Sequence, residues 1–233
     1  MGTCGLAWGP AGRAEESAPG AAADQGTIKD RPGKDQPDKD LSTPSAGPPA
    51  QIEGFRQARF GMSEEQVRQA IRKDFPGAAA RLTVAIHPSE KTTVLSLSVT
   101  DLLPHTGNAR ISHILGYRSK KLAQINIVWT SDGTDAGDET VVGIANSLRD
   151  YFATSNFKPD SVVVNHQLPA GGILVFRGSD AQNRTVLLIL SGAAASARPE
   201  EKKARKMPPL SLELFYIEDA AHPDIFKISK GQF

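Results

Sequence analysis

The chain has a single cysteine, Cys4, in 233 residues. An internal disulfide is therefore excluded, as is any cysteine-rich zinc site, since both need several sulfurs at suitable spacing. Excess charge of one sign is also lacking: the formal net charge is +1, which removes the broad positive field of a dedicated nucleic-acid binder. No apolar run approaches the roughly 20 residues that cross a bilayer as a helix, so no membrane span is expected. His87, His105, His113, His166 and His222 stand apart, with no His-x-x-x-His or His-Glu pattern; no metal site is expected from them.

Signs of catalysis are equally sparse. There is no Gly-x-Ser-x-Gly turn to expose a nucleophile, and Gly171-Gly172 lead into neither a helix nor the Lys-Ser/Thr of a phosphate-binding loop. A bulge or tight hairpin accounts for these two glycines. The expectation is a non-enzyme without cofactors; a hydrolase assembled from Asp101, His105 and a distant serine is the least favoured alternative.

The apolar content, 39% of the chain, is enough for one good core or two small ones. Residues 1–16 begin "MGTCGLAW" and pass Ala14 into an acidic run, which reads either as the end of an export signal whose basic start lies upstream of Met1 or, equally well, as a disordered Ala/Gly/Pro start. Lipid attachment at Cys4 is a lesser alternative, because "MGTC" lacks the usual leucine. From 17 to 51 the chain is Ala, Gly, Pro, Asp, Lys and Ser, too poor in large apolar groups to offset the entropy of ordering; a mobile tether is predicted, with folding from Ile52. The expected location is the periplasm or another exported, envelope compartment.

The stretch "RFGMSEEQVRQAIRKDF", Arg59 to Phe75, carries a helix start. Ser63 can cap, Gln66 can reach back to complete a capping box, and Met62 can staple onto Val67, while Gly61 permits the tight entry. Val67, Ala70, Ile71 and Phe75 form the apolar stripe. Four runs of alternating residues follow, in "RLTVAIH", "TVLSLSV", "ARISHILGY" and "LAQINIVW", and predict antiparallel strands. After the turn-rich "SDGTDAGDE", helical spacing returns at Val141, Ile144, Ala145, Leu148 and Phe152.

Sliding the first segment along the chain until Val67 meets Ile144 also places Ile71 on Leu148, Arg72 on Arg149 and Phe75 on Phe152. The same shift brings the first three strand runs near "SVVV", "GGILVF" and "VLLIL", and fails only at a charged insertion, residues 193–208, before "LSLELFYIE". The predicted fold is α+β: two tandem helix-plus-four-strand units, 52–134 and 135–233, forming a sheet with the helices on one face.

A duplicated helix and four antiparallel strands introduced by "FGMSEEQV", Phe60 to Val67, resembles the β-lactamase inhibitor protein fold. It is also similar to the single-unit outer-membrane assembly lipoproteins of the small lipoprotein A type. The second unit lacks the Gly-Met-Ser/Thr start, and the cysteines that staple each unit of the inhibitors are absent. What the resemblance implies is an exported, non-catalytic protein that presents a sheet surface to another envelope protein.

The expected contact residues follow from that reading. Ser96, Ser98, Gln124 and Asn126 should line the open face, with Val94 and Val128 as apolar patches. The basic turn "YRSKK" should sit at a hairpin tip, where Tyr117 and Arg118, with Lys120 and Lys121, make a candidate contact; a second basic cluster, Arg198 to Lys206, lies in the insertion. The competing function is a carrier of a small ligand or lipid, for which cores so well supplied with Leu, Ile and Val leave little spare volume.

Overall fold

Helix α1, Glu64–Asp74, forms where the sequence signals it. The Ser63 N–H donates to Gln66 Oε1 at 2.8 Å and the Gln66 N–H to Ser63 Oγ at 3.5 Å, a capping box that satisfies amides the first turn leaves unpaired. Glu64 and Glu65 lie in the first turn and Arg72 and Lys73 in the last, matching the helix dipole. Val67, Ala70, Ile71 and Phe75 are buried. The motif before the helix does more than cap it. Gly61, with φ 79°, donates its N–H to Leu122 O, and the Leu122 N–H donates to Met62 O, so the helix entry is stitched to the start of a strand.

The computed structural model describes residues 47–169, 171–192 and 209–228. The proposed signal, the basic cluster of the insertion and most of the tether fall outside them. Gly47 to Ala50 are already held: Asn156 Nδ2 donates to the Gly47 and Pro48 carbonyls, and the Ala50 N–H donates to Asn156 O. Anchoring thus precedes the expected start at Ile52.

Two very short strands, β1 (Gly54–Phe55) and β2 (Ala58–Arg59), pair ahead of α1, and a one-turn helix, α2 (Pro76–Ala79), follows it. Next come β3 (Thr83–Ile86), β4 (Thr93–Thr100), β5 (Asn108–Leu115) and β6 (Leu122–Thr130). Helix α3 (Asp135–Ala153) leads to β7 (Val163–Gln167), β8 (Ile173–Ser179), β9 (Thr185–Ser191) and β10 (Ser211–Ile217). The last eight strands form one antiparallel sheet in the order β3-β4-β5-β6-β10-β9-β8-β7.

Helix α3 starts inside the segment expected to be a break. Thr134 caps it by accepting from the Gly137 N–H, and Asp132 Oδ1 in turn accepts from the Thr134 N–H and hydroxyl. A Cβ on Gly137 would stand 2.2 Å from Asp132 Oδ1. The glycine that reads as a breaker is what lets this cap close.

Cross-strand register sorts the side chains. Leu97, Ile111, Ile127, Leu214, Leu188 and Phe176 align across six strands, and all are buried. They join Val67 and Ile71 of α1 and Val141, Ile144 and Phe152 of α3 in one apolar cluster. Burying each large side chain contributes on the order of 2 kcal/mol. Trp129, Phe176 and Leu212 are among the largest fully buried groups.

Candidate functional site

The neighbouring residues of each strand point the other way. One row reads Ser96, Ser112, Asn126, Phe215, Leu187 and Arg177; the next reads Ser98, Arg110, Val128, Glu213, Ile189 and Leu174. Phe215, Leu187, Val128 and Ile189 are half-buried and lie outside the core cluster and the side chains packed on it. This face therefore carries apolar Phe215, Leu187, Val128 and Ile189 along β6, β10 and β9 with Glu213 set among them, bordered by Ser96, Ser98, Arg110, Ser112 and Asn126 on one side and by Arg177 and Leu174 on the other. Of this group sequence patterning locates Val128 alone; the other expected apolar residue, Val94, lies on β4 of the same face.

The segment after β10 arches over one end of the same face. The Glu218 N–H donates to Ala123 O, the Tyr117 N–H to Asp224 O, and the Phe226 N–H to Glu90 O. Beneath it lies a cleft of about 480 Å³. Its floor is Val94, Ile114, Ile217, Ser112, Gln124 and Asn126; its rim carries Glu90, Glu218, Asp219 and Asp224 with His87 and His222. Burial raises the Glu218 carboxyl above its ordinary value, an effect that Arg184 opposes and Asp219 reinforces. The N–H groups of His222 and Ala221 hold the Asp219 carboxyl below its usual range, with the His222 ring adding to the effect. Acids outnumber bases at this mouth, so it suits a cationic or hydrogen-bond-donating group.

Asp224 fixes the roof. Its Oδ1 accepts from the Arg118 N–H and its Oδ2 from the Ser119 N–H, both at 2.9 Å. Partial burial works to raise this carboxyl, but those hydrogen bonds prevail and it is held below its ordinary value. The "YRSKK" turn is thus an internal dock: the Tyr117 ring meets Phe226 edge-on at 5.5 Å, and Lys120 Nζ lies 5.2 Å from the Tyr117 ring centre. Arg118, Lys120 and Lys121 remain exposed at its edge, while Tyr117 is half-buried.

Of the four polar residues expected on the open face, all lie on it, in different states. Ser98 is exposed; Ser96 is buried and shares a 2.9 Å hydrogen bond with Ser112 Oγ. Gln124 Nε2 donates to Asn126 Oδ1 at 2.7 Å, so this pair is pre-set at the cleft floor. Asp101 Oδ1 accepts from the Gly107 N–H and closes the loop that also holds His105. His113 lies on the core side, in register with Leu95 and Ile125. Burial lowers its pKa to about 4, with the Leu95 backbone acting in the opposite sense. His87 Nδ1 accepts from the Glu90 N–H. Among the described residues, no group of three His, Cys, Asp or Glu side chains stands close enough to hold a metal ion. No described helix is long and apolar enough to cross a membrane.

A second cleft, of about 710 Å³, opens beside α3, between Ile52, Phe55, Leu103, Leu148, Tyr151 and Tyr216. Comparison with protein-family models, with curated protein sequences and with solved structures returns no match.

Proposed function

We propose that the chain is an exported, non-catalytic binding module that docks another envelope protein on its uncovered sheet face. The observation that carries this reading is the stripe of Phe215, Leu187, Val128 and Ile189, apolar yet excluded from the core. An apolar band bordered by polar groups is the anatomy of a recognition surface. The acidic cleft at its end adds a preference: a lysine or arginine of the partner would reach Glu218 and Asp219, with the Gln124–Asn126 pair below it.

The strand order supports a duplicated plan. The longer helices, α1 and α3, each precede a run of four strands, and the order runs inward from β3 and β7 to meet at β6 and β10. In such a plan both helices cover one face of the joined sheet and leave the other free, as the resemblance to β-lactamase inhibitor protein implies.

Photo-crosslinking in cells tests the reading. A photoreactive residue at Leu187 or Asn126 should give a discrete crosslinked partner in the envelope fraction, and one at Arg72 or Asn146 on the helices should not. Val128→Asp should abolish the adduct. Crosslinks confined to the helix positions, or a cytoplasmic chain, would overturn it.

The carrier reading has one observation in its favour. The cleft beside α3 is lined by Phe55, Phe152, Phe157 and Tyr216, and burial holds the Tyr216 phenol far above its ordinary value, with Tyr151 adding to the effect. Native mass spectrometry after mild purification separates the two: a co-purified small molecule supports a carrier, and a bare chain removes that reading.

A further inference from the structure

The two outer strands of the sheet differ. In β7, Asn165 has φ 52° and drops out of the ladder, which passes from Val164 directly to His166. The register is kept on either side, Val164 meeting Phe176 and His166 meeting Leu174, but the left-handed residue between them breaks the run of extended backbone that a further strand would need. Strand β3 has no such device: Thr83 to Ile86 pair with β4 without interruption, and none of the four is charged or a proline. All four are exposed, with Val84 44% and Ile86 59% accessible.

The hairpin fixes which backbone groups of β3 are unused. The His87 N–H donates to Thr92 O, so by the alternation of an antiparallel ladder Ala85 and Thr83 also bond toward β4. The N–H and C=O of Val84 and Ile86 then point outward. This pattern is self-complementary. A two-fold axis through Ala85 sets Val84 of one copy opposite Ile86 of the other, twice, and each pair exchanges both of its hydrogen bonds. Val84 and Ile86 share one face, so the four exposed apolar side chains meet across the junction. Ala85 faces Ala85 at the closely spaced position, where a small side chain fits.

We propose that β3 is a homodimerisation edge: two copies pair antiparallel through Thr83–Ile86 and join their eight-stranded sheets into one. The junction uses few residues, so the dimer is weak, with Kd of about 10 μM or higher on the usual relation of affinity to free energy. The doubled sheet places the two uncovered faces side by side.

Sedimentation velocity of the full chain over a concentration series, with amide exchange read at the same concentrations, tests this. The expected result is a mass rising toward two chains, and Val84 and Ile86 amides that exchange more slowly as concentration rises, although neither has a partner within the ladder. Ile86→Lys, at an exposed site where the fold is kept, should weaken association at least tenfold, and Val164→Lys on the opposite edge should leave it unchanged. A chain that stays monomeric throughout would overturn the proposal. So would self-association that Ile86→Lys does not alter, or that Val164→Lys weakens equally.

Discussion

Asp180 Oδ2 accepts a 3.0 Å hydrogen bond from the Ile52 N–H, 128 positions away in sequence. The same carboxylate takes the Gln182 and Arg184 N–H groups on Oδ1, and Arg184 Nη1 returns a bond to the Ile52 carbonyl. The turn between β8 and β9 therefore clamps the start of the folded region. Asp180 is 1% exposed, so Asp180→Ala leaves three amides without their acceptor, that of Ile52 in a buried bond and those of Gln182 and Arg184 in part-buried ones. A loss of about 3 kcal/mol or more is expected in urea unfolding, with Asp180→Asn intermediate because one acceptor oxygen remains.

Acid should destabilise the fold through His113. Its pKa is about 4 in the folded chain and about 6.5 when unfolded, so the unfolded chain binds the extra proton first. Stability is complete above pH 6.5, falls as pH drops from there, and levels once the folded imidazole is itself protonated near pH 4. The loss is on the order of 3 kcal/mol. His113→Leu should flatten this part of the profile, measured as melting temperature against pH.

Asp224→Ala removes the acceptor for Arg118 and Ser119. The expected outcome is faster amide exchange at Arg118, Ser119 and Phe226, with global stability altered by less than about 1 kcal/mol because the site is peripheral. If the cleft reads a basic group of the partner, affinity in a purified pair should fall with the same substitution, since its roof is released.

Ser63→Ala breaks half of the capping box. A cost of about 1 kcal/mol is expected, and Ser63→Gly should recover most of it, since glycine is itself a fair cap. Both are read from denaturant midpoints at constant slope.

The parts of the fold that were legible in the sequence are those written at short range. Alternation in "VLSLSV" and "LAQINIVW" gave β4 and β6, and Ser63 with Gln66 gave the helix entry, because each rests on neighbours within one turn or one pleat. What failed to show was long-range polar closure. Asp180 meets Ile52, and Asp224 meets Ser119, yet a lone aspartate in a loop has no period to betray its partner. "SDGTDAGDE" misled for a related reason: its glycine and acids signal a turn one by one, but together they build the Thr134 cap and the first turn of α3. The open face was half legible. Ser96, Ser98, Gln124 and Asn126 follow from alternation, whereas Phe215 and Leu187 sit in runs apolar on both sides, where alternation is silent.

Strand β10 lies between β6 and β9, yet it is the last of the sheet strands to leave the ribosome. Until it is inserted, β6 and β9 each have one hydrogen-bonding flank bare, and both are rich in Ile, Leu and Val. The nascent chain is thus two half-sheets awaiting a shared keystone. Its most aggregation-prone moment falls just before synthesis of Ser211–Ile217 is complete, and chains shortened ahead of Ser211 should partition into the insoluble fraction.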